Sequence, residues 1–402
     1  MGYGLVVVAM VLWGTELARR LLLQAFRSSP HPRCNSVSRH RSYLRIILFK
    51  LFCWAHLIRF ALADCECGYS TTFDIAGDGG GTAVFTDLIE SDFTKLADVA
   101  QDTEWVRQAF NLTRERARGD YGEMFDVENV VAHSIYDQGG EEKDLPGLKL
   151  IVKKDLVGGM VPVAEIDTQR LDLFWGTFRA SMKMTDVLGT CAAFFWYFND
   201  TQEIDMEFLS KDFNTVNRSY PVNLVLQSRE AVMAGYDAAL TGNFIKAYLP
   251  FDPADDFHEY RIDYIPGRVF FYADGMKLAE MDGPAVPSSA GHLILQHWSN
   301  GNEFWSGGPP AQDATLTVRY VKAYFNSSLP QRQRDWENRC RGPTVANAIC
   351  EIRDGNWFFE DQRNMTNNQT ASDQNDSSSL EMPLWPAMGL LLLMGGRAVA
   401  FW

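Results

Sequence analysis

Residues 203–207 read Glu203-Ile204-Asp205-Met206-Glu207, and the run continues into Phe208 and Leu209. Its alternation has the period of a β-strand, so Glu203, Asp205 and Glu207 share one face while Ile204, Met206 and Phe208 share the other. Like charges on neighbouring same-face positions repel, and acidic residues are depleted in strands. A solvated strand face tolerates such a pattern, whereas a strand with no use for the acids is weakened by it. The surrounding chain decides between these readings.

Outward from the pentad the chain reads as many short strands. Leu148 to Lys154 alternates, Thr177 to Met184 sets Phe178, Ala180, Met182 and Met184 against Arg179, Ser181 and Lys183, and His292–Trp298 and Thr315–Phe325 are also strand-like. Pro266-Gly267 suits the centre of a type II turn, and Asp274-Gly275 is a hairpin signal between Val269–Ala273 and Met276–Met281. Regular strands and turns of this kind predict an all-β sandwich or barrel rather than βαβ units. Between Thr86 and Phe110 the pattern is mixed, with Phe93, Leu96, Val99, Trp105 and Val106 read as short helical decoration.

The chain has 402 residues, enough for one large core, with 13% aromatics and a net charge of −14. Residues 1–63 carry +8 and the remainder −22. An acidic remainder argues against nucleic acid and suits a neutral polysaccharide.

Four stretches together resemble glycoside hydrolase family 16. They are Gly189–Ser210 around the pentad, Trp175–Lys183, Phe257–Tyr264 with Arg268–Gly275, and His297-Trp-Ser-Asn-Gly301 with Trp305 ahead of Val318–Tyr324. The resemblance runs from about Leu148 to Phe325 and is similar to secreted fungal members. It implies a concanavalin A-like β-jelly-roll of two antiparallel sheets that cleaves or rearranges internal β-linkages in glucans. It also implies that Glu203 is the nucleophile, Asp205 its partner and Glu207 the acid/base. Tyr264 stands where many members carry Trp. The uninterrupted alternation resembles the regular-strand branch, which includes lichenases, plant xyloglucan enzymes and yeast glucan–chitin transferases.

Retaining glycosidases need two carboxyls about 5–5.5 Å apart, whereas Cα atoms four residues apart in a strand are separated by roughly 13 Å. The strand must therefore curve, so that two long Glu side chains lean toward one sugar with Asp205 between them. Nearby negative charge is expected to raise the Glu207 pKa and keep its proton. Trp298, Trp305 and Trp196 are expected as platforms for sugar C–H faces, with core packing the alternative for Trp196, and Asn300 and Asn302 as partners for sugar hydroxyls. A lectin on the same fold would lose the carboxylates; a structural wall protein with a silent site is the other rival. Hydrolysis of β-glucan is the expected reaction, with wall-glucan transglycosylation the alternative.

Other motifs carry less. Gly77–Gly81 lacks the Gly-Lys-Ser/Thr of a phosphate loop, and His258, His292 and His297 have no metal-ligand spacing, so no metal ligand is assigned. No cofactor is required; a structural calcium occurs in family members, but no ligand set for it can be picked out.

The chain divides into a targeting region (1–63), a catalytic domain (64–330), an extension (331–363), and a polar linker with an apolar tail (364–402). Ala61-Leu62-Ala63 before Asp64 fits a signal cleavage site, and a signal anchor or a different start codon is also open. Seven sequons, at Asn111, Asn199, Asn217, Asn326, Asn364, Asn368 and Asn375, suit export. Cys65 and Cys67 lie at one end of the domain and Cys340 and Cys350 at the other, so disulfides joining the two ends are expected, and Cys191 is read as an inert buried thiol. The tail from Pro383, with a site region at Asn375–Ser377, resembles a lipid-anchor signal, although Arg397 interrupts it. A secreted or cell-surface location follows from these features together.

Overall fold

The computed structural model describes residues 64–74, 80–136, 145–340 and 342–361. The targeting region, the linker with its tail, and the start of the glycine run at Gly77 lie outside the described residues.

Two sheets packed face to face make an all-β jelly-roll sandwich. Strands are numbered along the chain. The first sheet runs in spatial order β14 (Phe244–Leu249), β13 (Tyr220–Ser228), β12 (Gln202–Leu209), β11 (Cys191–Asn199), β18 (His292–Trp298), β9 (Met160–Thr168), β6 (Gly122–Phe125) and β5 (Phe110–Leu112), with β4 (Trp105–Arg107) also on β9. The second runs β17 (Met276–Asp282), β16 (Arg268–Ala273), β15 (His258–Ile265), β10 (Leu173–Lys183), β19 (Ala314–Ser327), β8 (Gly147–Val152) and β7 (Val130–His133), with β3 (Asp87–Asp92) on β19. Among the described residues, only the β6–β9 pair is parallel in these two sheets. A third, small sheet joins β2 (Gly81–Phe85), β1 (Gly68–Phe73) and β20 (Ile349–Glu351).

The alternation in the sequence becomes the core. Phe194 and Trp196 of β11, Ile204, Met206 and Phe208 of β12, Leu224 and Leu226 of β13, and Leu293 and Leu295 of β18 all point inward. They meet Phe178, Ala180 and Met182 of β10, Ile262 and Tyr264 of β15, and Val321 and Ala323 of β19. Each large side chain so buried contributes roughly 1.5–3 kcal/mol. One face of the pentad strand is thereby fixed in register, because a one-residue slip would drive three carboxylates into this core. At the β16–β17 hairpin, Asp274 and Gly275 both have positive φ (46° and 74°), as a type I′ turn requires.

One expectation changes. Trp105 and Val106 belong to β4 rather than to helical decoration; the helical pieces there are the single turns Phe93–Lys95 and Val99–Gln101, capped by the Asp92 and Asp98 side chains. Arg179 lies on the face opposite Phe178, as its pattern requires, and that face is covered there, leaving Arg179 1% exposed. The C-terminal segment explains this, because it packs over the outer face of the second sheet: Arg179 bonds Asp354, and Lys322 donates to the Gly355 carbonyl and, at 2.8 Å, to that of Trp357.

That segment is stapled in place. Cys65 pairs with Cys350 and Cys67 with Cys340, so the two ends of the described chain are joined as expected. Cys191 is free and buried.

Candidate active site

The strand register assembles the site on the outward face of the first sheet. Directly paired residues lie on the same face, so each row of partners can be followed across the strands. One row runs Glu165, Gln296, Ala193, Glu207, Asn223, Lys246; the next runs Asp167, Ile294, Phe195, Asp205, Val225, Phe244; the third runs His292, Tyr197, Glu203, Gln227. The three carboxylates of the pentad therefore sit in mid-sheet, flanked by aromatic and amide side chains. Pairing of β12 with β11 and β13 is regular from Glu203 to Glu207, with no bulge. A cavity of about 550 Å³ opens on this face, and Glu207, Gln296, Trp298 and Trp305 are among its lining residues.

Glu203 and Asp205 share a hydrogen bond. Burial, then the charges of Glu203 and Glu207, raise the Asp205 pKa well above the usual carboxylate range, so Asp205 holds a proton and donates it to Glu203. Burial also raises Glu203 to about 7, while the bond from Asp205 pulls it down toward the ionised form that a nucleophile needs. Glu207 is raised to about 7 as well. Its main cause is burial rather than the neighbouring negative charge expected from the sequence. Three contacts oppose that rise: the Trp305 indole N–H, the Cys191 thiol and the Arg118 charge.

Trp305 Nε1 donates to Glu207 Oε1 at 3.2 Å, and Cys191 Sγ approaches the same oxygen at 3.8 Å. With both donors on Oε1, the proton of the neutral acid is left to Oε2. Burial pushes the Cys191 thiol well up, so it stays protonated and remains a donor.

The other expected residues divide. Trp298, the last residue of β18, is half-buried against a small apolar cluster and lines the cavity. Trp196 is corrected: it is wholly buried in the core, packs 5.0 Å from the Tyr264 ring and donates from Nε1 to the Leu173 carbonyl. Strand pairing decides this, since Trp196 pairs with Ile204 and not with a carboxylate. Asn300 is also corrected as a sugar partner. It lines the cavity, but Nδ2 donates to the Ala117 carbonyl at 2.6 Å while Oδ1 accepts from Asn302 N and Ser306 Oγ, so its amide builds the loop that carries Trp305. His297 is a core histidine, with Nδ1 2.9 Å from the Leu150 carbonyl, whereas His292 faces the site beside Tyr197 and Asp167. Among the described residues no group of three or more His, Cys, Asp or Glu is placed to hold a metal ion.

A second set of acids escaped the sequence reading. Glu165 and Asp167 project from β9 onto the same face, Gln296 hydrogen-bonds Glu165, and Glu123 of β6, which lines the cavity, is near enough to Glu165 for their charges to interact. Burial raises Glu165 to about 7 and Glu123 to about 8. The signal was present, since Glu165-Ile166-Asp167 repeats the Glu203-Ile204-Asp205 pattern.

This face of a jelly roll, with alternating carboxylates beside aromatic rings, agrees with the comparisons to known proteins. Residues 141–322 match the sequence profile described as glycosyl hydrolases family 16. Over these residues the chain is similar to family 16 glycoside hydrolases. It is similar to a β-glucanase of Bacillus licheniformis, 28% identical over 158 residues, which cover 37% of this chain and 58% of that protein. A β-glucanase of Acetivibrio thermocellus is 28% identical over 200 residues, covering 47% of this chain and 52% of the relative. The chain thus spans little more than half the length of these relatives. Among solved structures, a β-1,3-1,4-glucanase (lichenase) from a mouse hindgut metagenome is 19% identical, covers 59% of this chain and 99% of its own, and superposes with a TM-score of 0.44. All three carboxylates of the pentad fall inside the matched family 16 segment.

Proposed function

We propose that this chain is a retaining endo-β-glucanase that acts by double displacement, with Glu203 as nucleophile and Glu207 as acid/base. The observation that carries the reading is the pairing of two differently furnished carboxyls on one strand face: Glu203 receives a proton bond from Asp205, and Glu207 keeps its own proton at about pH 7 under the Trp305 indole. In the first step Glu207 gives its Oε2 proton to the glycosidic oxygen as that bond breaks, and a Glu203 oxygen bonds the anomeric carbon. In the second, Glu207 takes a proton from water, the water oxygen bonds the anomeric carbon, and Glu203 leaves. Asp205 keeps Glu203 oriented throughout and becomes the stronger donor whenever negative charge returns to Glu203.

A β-glucan substrate is supported by the two bacterial relatives, both named β-glucanases, and by the aromatic lining, because ring faces pack against sugar C–H faces. Work outside the cytosol is supported by the two disulfides, which persist in oxidising compartments. The test is a panel of mixed-linkage, β-1,3- and β-1,4-glucans assayed for reducing ends and viscosity together. An endo enzyme drops viscosity early, while few ends have formed. New ends with unchanged viscosity would assign attack at chain ends, and no products on any β-glucan would remove the reading.

A further inference from the structure

Arg118 and Tyr236 reach each other from opposite flanks of the groove. Arg118 follows the short helix Arg114–Ala117, which packs on β5 and β6 at one end of the first sheet. Tyr236 follows the short helix Arg229–Met233, which continues β13 near the other end. Between those ends lie β12, β11 and β18 with the carboxylates. The Arg118 guanidinium nevertheless stands 4.3 Å from the centre of the Tyr236 ring, and both residues line the cavity that contains Glu207.

Both ends of this bridge are held in the left-handed backbone region, with φ of 58° at Arg118 and 68° at Tyr236. Gly or Asn would sit there more cheaply. Each closes the C-terminus of its short helix, with Arg118 N–H bonded to the Arg114 carbonyl and Tyr236 N–H to the Ala231 carbonyl, which fixes the direction in which each side chain leaves its helix. The Arg118 arm is anchored: Asn300 and Asn302 donate to the Ala117 and Arg118 carbonyls, and a Cβ on Gly119 would fall 2.2 Å from the Asn300 carbonyl oxygen. On the other side, the Tyr236 hydroxyl donates to Asp200 Oδ2 at 3.1 Å, and Tyr197 holds Oδ1 of the same carboxylate at 2.7 Å. The contact itself lies at the surface, since Arg118 is exposed and Tyr236 is 36% exposed.

We propose that the Arg118–Tyr236 bridge is a gate across the groove: closed, it admits short oligosaccharides to the carboxylates and excludes an internal segment of a polysaccharide, which binds only after the pair parts. An exposed cation–π contact is weak, so the gate opens thermally and sets a rate and a length preference rather than an absolute block. The two residues are specificity-determining and take no part in bond making. This inference rests on the proposed β-glucan reading of the same groove.

The test compares wild type, Tyr236→Ala and Tyr236→Phe. Tyr236 is chosen because Arg118 also acts electrostatically on Glu203 and Glu207. For each protein, kcat/KM on a long β-glucan is divided by kcat/KM on an aryl β-cellobioside. Tyr236→Ala is expected to raise that ratio about two- to fivefold, the Boltzmann factor of an exposed cation–π contact. Tyr236→Phe, which keeps the ring and loses the bond to Asp200, should leave the ratio near wild type. An unchanged ratio in Tyr236→Ala overturns the gate, and a fall on the polymer makes the ring a substrate platform instead. Association rates of the same polymer, followed by tryptophan fluorescence in a Glu203→Gln background, give a readout without turnover. If wild type cleaves no β-glucan but Tyr236→Ala still speeds polymer association, the enzymatic reading fails and the gate stands. Absence of both cleavage and binding sinks both.

Discussion

The indole N–H of Trp305 donates to Oε1 of Glu207 at 3.2 Å, so the loop expected to supply a sugar platform also holds the carboxyl proposed as general acid. That bond favours the carboxylate form and holds the Glu207 pKa below where burial alone would put it. Trp305→Phe keeps an aromatic ring and removes the donor. Glu207 should then hold its proton more tightly, and the alkaline limb of the kcat/KM profile should move up by about one pH unit, the size of a hydrogen bond to a charged group. A purely stacking role predicts weaker binding with the limb unmoved.

The roles of the acids separate by substitution. Glu203→Gln and Glu207→Gln should each lower turnover on a β-glucan by several orders of magnitude while the melting temperature stays close to wild type. An aryl glycoside with a good leaving group should recover the first step in Glu207→Gln but not in Glu203→Gln. Equal recovery in both would reverse or dissolve the assignment. Asp205→Asn removes the orienting proton donor rather than a bond-forming group, so its loss should be the smallest of the three.

Stability should fall as pH rises through neutrality. Glu123, Glu165 and Glu207 have folded-state pKa values of about 8, 7 and 7, above the ordinary carboxylate value, so between those limits the folded protein binds more protons than the unfolded chain. The derivative of unfolding free energy with pH is then negative. His292 and His297, lowered to about 4 by burial, act in the opposite sense only between about pH 4 and 6.5. From pH 6.5 to 8 the carboxyls act alone. Thermal melts across that window should show a falling Tm, less steep in Glu123→Gln; a Tm that rises from 6.5 to 8 would contradict the buried-acid picture.

Two tryptophans should respond differently to truncation. Trp196→Ala leaves a cavity in the sandwich core and should cost about 3–5 kcal/mol of stability by denaturant titration. Trp298→Ala, at the edge of the groove, should weaken oligosaccharide binding by about 1–3 kcal/mol, on the scale measured for ring stacking on bases, with a much smaller loss of stability. Matching stability losses would place both rings in the core.

The fold was legible because its signals are local. Alternation at Phe178–Met184 and Ile204–Phe208, with the Asp274-Gly275 turn, specifies strands and their inward faces without knowledge of the partner strand. The carboxylate triplet was legible for the same reason. What stayed hidden depends on pairing between distant strands. Trp196 stood in an apolar run where parity alone does not show which face is core, and only its pairing with Ile204 resolves it. Glu165 and Asp167 lie 38 residues before their counterparts Glu203 and Asp205 in sequence, and β18 and β11 must be interposed before they share a face. The cover over Arg179 could not be read locally either, because the segment that supplies it arrives from residues 354–359, far along the chain. The dominance of burial over charge at Glu207 was likewise a property of the packed groove, not of the pentad.

The central claim is that Glu203 and Glu207 work in sequence on one sugar, and the configuration of the first product tests it most directly. Two displacements at the anomeric carbon restore its configuration, so proton NMR of a fresh β-glucan digest, recorded before mutarotation, should show the β-anomer of the new reducing end appearing first and the α-anomer growing only later. The α-anomer as first product would require a single displacement by water and would contradict the account.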